Sequence, residues 1–164
     1  MTRQLFVLIA VLVLLAACTS ATEMPTAVPA TETSASVPPT STPVICQPSK
    51  IQESPVGFSE IQGDMQSAGE LWALLFFQNA HVNVDAKIVW RINGEGGEFD
   101  AQAQSESGTI IQPVWKEYHE SSNWERPGLE WGTGFNFPEP ECWRITVTYG
   151  KTTGTISLDV LGSQ

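Results

Sequence analysis

Apolar side chains occupy every second position along much of the second half of the chain, the pattern of strands with one buried and one wetted face. Trp143, Ile145, Val147 and Tyr149 alternate with Arg144, Thr146 and Thr148, and after the GKTTG turn Ile156, Leu158 and Val160 repeat the period. These segments predict two strands that close a sheet, preceded over residues 131–141 by a Gly/Pro loop. Upstream, Ile88, Trp90 and Ile92 share one face opposite Lys87 and Arg91, and Asn93-Gly94 follows as a hairpin signal. Phe99, Ala101 and Ala103 then alternate with Asp100, Gln102 and Gln104, which predicts a hairpin whose second strand lies at an exposed edge. LWALLFF, residues 71–77, is a continuous apolar run between Gly69 and Asn79. It predicts a strand covered on both faces, with a short buried helix as the competing reading. Residues 108–114 predict another short strand, and residues 50–67, with turn formers at Ser54-Pro55, Gly57 and Gly63-Asp64, predict irregular chain with at most one short strand.

No segment after the first 17 residues has a convincing 3.6-residue period. Short strands separated by frequent turn signals predict an all-β domain over residues 44–164, an antiparallel sandwich of immunoglobulin-like type.

The first 43 residues carry a different message. Arg3 precedes an unbroken apolar run over residues 5–15, too short to span a bilayer, and Ala16, Ala17 and Cys18 follow. Leu15-Ala16-Ala17-Cys18 resembles the lipobox of bacterial lipoproteins, which implies a signal peptide over residues 1–17 and diacylglyceryl attachment at Cys18; an ordinary secretory leader is the competing reading. Two acyl chains hold a protein stably on a membrane where one does not. Residues 19–43 are built mainly from Thr, Ser, Ala, Pro and Glu without an aromatic residue, so they have nothing with which to form a core. They predict a disordered tether, biased by its prolines toward polyproline II and able to reach on the order of 80 Å. The expected location is the cell membrane, lipid-anchored and facing the extracytoplasmic side.

Lipidation of Cys18 leaves Cys46 and Cys142 as a single pair in an exported chain, and a disulfide between them is expected. A Cys/His metal site with His81 and His119 is the weaker reading, because no close-spaced ligand pair is present. No metal or cofactor is expected. Eight Lys and Arg stand against 18 Asp and Glu, a formal net charge of −10 that becomes one unit more negative once Arg3 leaves with the leader. That balance excludes nucleic acid and electrostatic adhesion to anionic lipid, both of which need cationic surface.

Residues 115–137 form the longest stretch without strand alternation and are rich in aromatic side chains. Loops of this kind are either functional or packed as covers. Trp115, Tyr118, His119, Trp124, Arg126 and Trp131 make up the candidate ligand surface. Its rings suit stacking on sugars, and Glu117, Glu120, Asn123 and Glu125 are available to hydroxyls. The competing reading folds the rings inward to cap the sandwich. Catalytic motifs are absent: the chain has no G-x-S-x-G, no H-E-x-x-H and no phosphate-binding glycine loop. A Glu-based hydrolase remains the third reading, with no two carboxylates singled out. Residues 93–98 lack the regular Asp/Asn alternation of a calcium loop.

The segments WGTGF at 131–135 and FPEPECW at 137–143, with HESSNWERPG at 119–128, resemble a family of uncharacterised bacterial lipoproteins. That family carries a W-G-T-G-F, F-P-x-x-G-C-W signature ahead of a closing hairpin. The chain departs from it at Glu141, where the family has a glycine free to take positive φ. The resemblance implies an exported, disulfide-tied β domain on a lipid anchor and no particular activity. The expected function is therefore that of a non-enzymatic surface lipoprotein with an immunoglobulin-like interaction module and an extracellular protein or glycan ligand. Carbohydrate or cell-wall glycan binding through residues 115–131 is the alternative.

Overall fold

The computed structural model describes residues 46–120 and 122–163; the expected leader, Cys18 and the tether lie outside the described residues. The described residues contain twelve strands and no helix, and so no helix long and apolar enough to cross a membrane. In chain order the strands are β1 (Ile51–Glu53), β2 (Ser59–Gln62), β3 (Asp64–Met65), β4 (Leu71–Leu75), β5 (Ala80–His81) and β6 (Asp85–Ile92). They continue with β7 (Phe99–Ser105), β8 (Ile110–Ile111), β9 (Trp115–His119), β10 (Leu129–Asn136), β11 (Cys142–Tyr149) and β12 (Thr152–Leu161). The first sheet runs β1-β2-β4-β6-β10-β9 and the second β3-β12-β11-β7-β8, with antiparallel neighbours throughout; β5 adds a short parallel pairing to β12. The two sheets pack as a β-sandwich.

The core follows from the alternation. Trp143, Ile145 and Val147 of β11 point inward beside Ile156, Leu158 and Val160 of β12 and Phe99, Ala101 and Ala103 of β7. They meet Ile61, Leu71, Ala73, Leu75, Ile88, Trp90 and Ile92 from the first sheet. Trp90 is fully buried, and its indole N–H donates to Thr133 Oγ1 at 2.8 Å, so burying the largest ring leaves no donor unsatisfied. Cys46 and Cys142 form the expected disulfide, with Cα atoms 5.8 Å apart, tying the start of the domain to the first residue of β11. Every residue of β4 is buried, as a strand covered on both faces requires.

Several expectations are corrected. Residues 50–67 hold three strands rather than one; β1 and β2 form a hairpin around Gly57, and its signal was weak because β1 is wholly exposed and β2 buries a glutamate. β6 and β7 do not form a hairpin, since they belong to opposite sheets. Asn93-Gly94 makes no two-residue turn. Asn93 accepts from the Glu70 N–H through Oδ1 at 2.6 Å, and Gly94, at φ 145°, lies where a Cβ would collide with Thr152. β7 nevertheless lies near an edge: it pairs with β11 along its whole length and with β8 only at Ala103 and Gln104. The strand expected at 108–114 shortens to β8. The supposed loop at 115–137 contains β9 and all of β10, and WGTGF is strand, not loop. Its alternation was hidden because the positions facing away from the core are Glu130, Gly132 and Gly134. Glu141 does not adopt positive φ, so the position needs no glycine here. Its carboxylate instead accepts the Ser107 N–H at 2.8 Å, a bond that holds the carboxyl below its ordinary range.

Candidate functional site

The first sheet has a second buried layer on its outer face, the one turned away from the sandwich interior. Trp72, Leu74 and Val89 project outward from β4 and β6, and Trp124 of the loop between β9 and β10 closes over them, with Val56 alongside. Residues 122–128 thus form a strap across the sheet. Two buried carboxylates hold it.

Glu60 of β2 is 0% exposed, and its carboxylate is reached from two directions. Trp124 Nε1 donates to Oε2 at 2.9 Å, Arg126 Nε donates to the same oxygen at 3.1 Å, and Arg126 NH2 bonds Oε1 closely. Gln52 Nε2 donates to Oε1 at 3.0 Å. Burial pushes the Glu60 carboxyl up, but the donors Arg126, Trp124 and Gln52 and the Arg126 charge outweigh it and hold the group below its ordinary value. In return, the Glu60 hydrogen bond raises Arg126 above the usual arginine value. The Arg126 guanidinium lies 4.2 Å from the Trp72 ring, whose Nε1 donates to Glu70 at 2.9 Å.

Glu130 of β10, 2% exposed, anchors the other end of the strap. It receives Ser122 Oγ at Oε2 and faces His119 Nδ1 at 3.2 Å. Arg91 Nε lies 2.9 Å from Oε2 with its N–H off the line of contact, so that pair is more Coulombic than hydrogen-bonded. Arg91 also donates to the Gly128 carbonyl at 3.0 Å, fixing the chain where the strap re-enters β10.

Between the strap and the β1–β2 turn lies a cleft of about 290 Å³. Leu74 and Val89 form its floor, Phe58 and Phe76 one wall, and His119 and Asn123 its polar end. Among the described residues no group of three or more His, Cys, Asp or Glu side chains is placed to hold a metal ion, and His81 is remote from His119, with Nδ1 2.8 Å from the Gly162 carbonyl.

The six expected surface residues divide between two faces of the first sheet. Trp115, His119, Trp124 and Arg126 lie on the outer face. Trp124 is only 1% exposed and Arg126 is spent on Glu60, so both build the strap rather than display it. Trp131 points inward and stacks on Phe99 with centroids 4.8 Å apart, while Tyr118 meets Trp131 edge-on at 5.0 Å. These two rings cap the open side of the sandwich. Only Trp115 and His119 remain where a ligand on the outer face can touch them. Sequence reasoning missed Glu60, Glu130, Arg91, Phe58, Phe76 and Lys87. The one available signal was the all-apolar run at 71–77, whose second apolar face required a cover. The chain matches no protein-family model and no curated protein sequence.

Proposed function

We propose that the protein is a non-enzymatic, lipid-anchored lipoprotein of the extracytoplasmic surface, whose immunoglobulin-like sandwich binds a partner through the outer face of its first sheet. The observation that carries this reading is the preformed cleft. A strap held by two buried, ion-paired carboxylates keeps its shape without a ligand, and preorganisation of this kind lowers the ordering cost of binding.

The order of connections supports the immunoglobulin-like assignment. Such sandwiches divide their strands A-B-E-D and C-F-G. Here β4-β6-β10-β9 and β7-β11-β12 follow that division in chain order. The β1–β2 hairpin is an addition beside β4, and the disulfide joins Cys46 to β11 instead of linking the strands equivalent to B and F. A disulfide belongs to oxidising compartments, in agreement with the export implied by residues 1–18. The non-enzymatic reading is supported by the state of the buried carboxylates. Glu60 is stabilised in its ionised form, the opposite of what a general acid needs, and Glu130 is engaged by Arg91, His119 and Ser122.

Fractionation tests the anchor: Cys18→Ala should move the protein from the membrane to the soluble fraction, and unchanged retention overturns it. Full-length protein in detergent should co-sediment with delipidated envelope fragments. Asn123→Arg, a change at an exposed cleft residue, should weaken that association about tenfold. Undiminished co-sedimentation would place binding elsewhere.

A further inference from the structure

One row of outward side chains crosses the first sheet beside the cleft. Ser59 pairs with Leu75, which sets Phe58 opposite Phe76; the Phe76 N–H donates to the Lys87 carbonyl; Lys87 pairs with Gly134, and Gly134 with Trp115. Strands are spaced about 4.8 Å apart, so the row from β2 to β9 is roughly 19 Å long. Its three rings are exposed although they sit on a sheet whose neighbouring rows are covered: Phe58 42%, Phe76 40% and Trp115 37%. The phenylalanine centroids are 4.6 Å apart, and the Lys87 ammonium lies 4.4 Å from the Phe76 ring.

Trp115 is held flat by two missing side chains. A Cβ on Gly134 would overlap its indole, and one on Gly132 would lie 3.1 Å from the far end of the same ring and 3.1 Å from His119. The indole therefore rests one face on the bare backbone of β10 and turns the other to solvent. The glycines of WGTGF make the seat for this ring.

Resting on the reading of the outer face as a binding surface, we infer that the ligand is a neutral glycan chain lying across the strands on the row Phe58, Phe76 and Trp115. A pyranose presents a C–H face that stacks on an aromatic ring and an edge of hydroxyls. The row supplies ring faces at both ends and the Lys87 ammonium between them, and the adjoining cleft supplies the Asn123 amide and the His119 imidazole. An apolar peptide would need continuous greasy surface, which Lys87 and the polar end of the cleft interrupt. A polyanion is opposed by the net charge of −10.

The test uses full-length protein in detergent, run in native gels containing soluble neutral polysaccharides with glucose, mannose or N-acetylglucosamine backbones, and titrated by tryptophan fluorescence. At least one neutral polymer should retard the protein. Trp115→Ala and the pair Phe58→Ala/Phe76→Ala should each weaken binding about tenfold or more. Gly134→Ala, which removes no ligand-facing group but lifts the indole from its seat, should weaken it by several-fold, with an unchanged circular dichroism spectrum. Trp131→Phe, on the opposite face, should leave affinity intact. Retardation only by acidic polysaccharides, retardation by none, or affinity unaltered in Trp115→Ala would overturn the inference. The envelope co-sedimentation and Cys18→Ala fractionation are read separately, so failure on glycans does not remove the anchored binding module itself.

Discussion

The inner face of the first sheet and the part of its outer face beneath the strap are buried by two different kinds of chemistry. Its inner face, with Ile61, Leu71, Ala73, Leu75, Ile88, Trp90 and Ile92, is apolar and nondirectional in its demands. Its outer face sets a small apolar patch, Trp72, Leu74 and Val89, between Glu60 and Glu130, and covers it with a strap whose Arg126 and Trp124 satisfy Glu60 and whose Ser122 joins Arg91 of β6 on Glu130. A buried ion pair adds little net stability over an apolar pair, but removing one partner strands a charge. The inner face therefore specifies that the domain folds. The outer face specifies where one loop rests, and with it the shape of the cleft.

Five measurements bear on this contrast, beginning with the largest effect. Reduction of the Cys46–Cys142 bridge opens a loop of 96 residues, and chain entropy sets the loss at up to about 4.7 kcal/mol. Urea unfolding with and without reductant should show it across the whole domain, and an unshifted midpoint would demote the bridge to decoration. Trp90→Ala should cost about 4 kcal/mol with cooperative two-state melting, because a fully buried ring leaves a cavity between the sheets.

Glu60→Ala should cost about 3 kcal/mol, through the stranded Arg126 and Trp124 donors. Hydrogen exchange should rise first in residues 122–128. Uniform loss of protection over all strands would erase the distinction between the two faces. The same pair carries a pH signature. Because the folded-state Glu60 value lies below the unfolded one, its contribution is fully present above the ordinary carboxyl range and is lost as pH falls through the lower folded value. Strap protection should stay level from neutrality to about pH 5 and decline below about pH 4. A decline centred near neutrality would overturn the assignment of the transition to Glu60.

The smallest effect is expected at the exposed row. Trp115→Ala should change the unfolding free energy by no more than about 0.5 kcal/mol while removing the platform. A large loss of stability would make that ring a structural cover like Trp124.

Legibility in the sequence followed the same division. β6, β7, β11 and β12 were readable because their inner residues repeat with period two, β4 because its run is apolar without a break, and the Cys46–Cys142 pairing followed from setting Cys18 aside as the expected lipidation site, which leaves two cysteines. β10 was missed because its outward residues are a glutamate and two glycines, which break the apolar–polar rhythm without breaking the strand. The β6–β7 connection was misread because Asn93-Gly94 suits a tight turn, whereas here Asn93 bonds Glu70 and the chain passes to the other sheet.

Local alternation, turn residues and cysteine count thus determined an all-β, disulfide-tied domain, since each depends on neighbours a few positions away. Which aromatic rings are seats, covers or platforms was decided only by tertiary structure. Trp115, Trp124 and Trp131 are equivalent as letters. One rests on glycines of the adjacent strand, one donates to a glutamate 64 residues upstream, and one stacks on a phenylalanine of the opposite sheet. The exposure of a side chain is a property of what folds against it, and those partners lie beyond the reach of any local pattern.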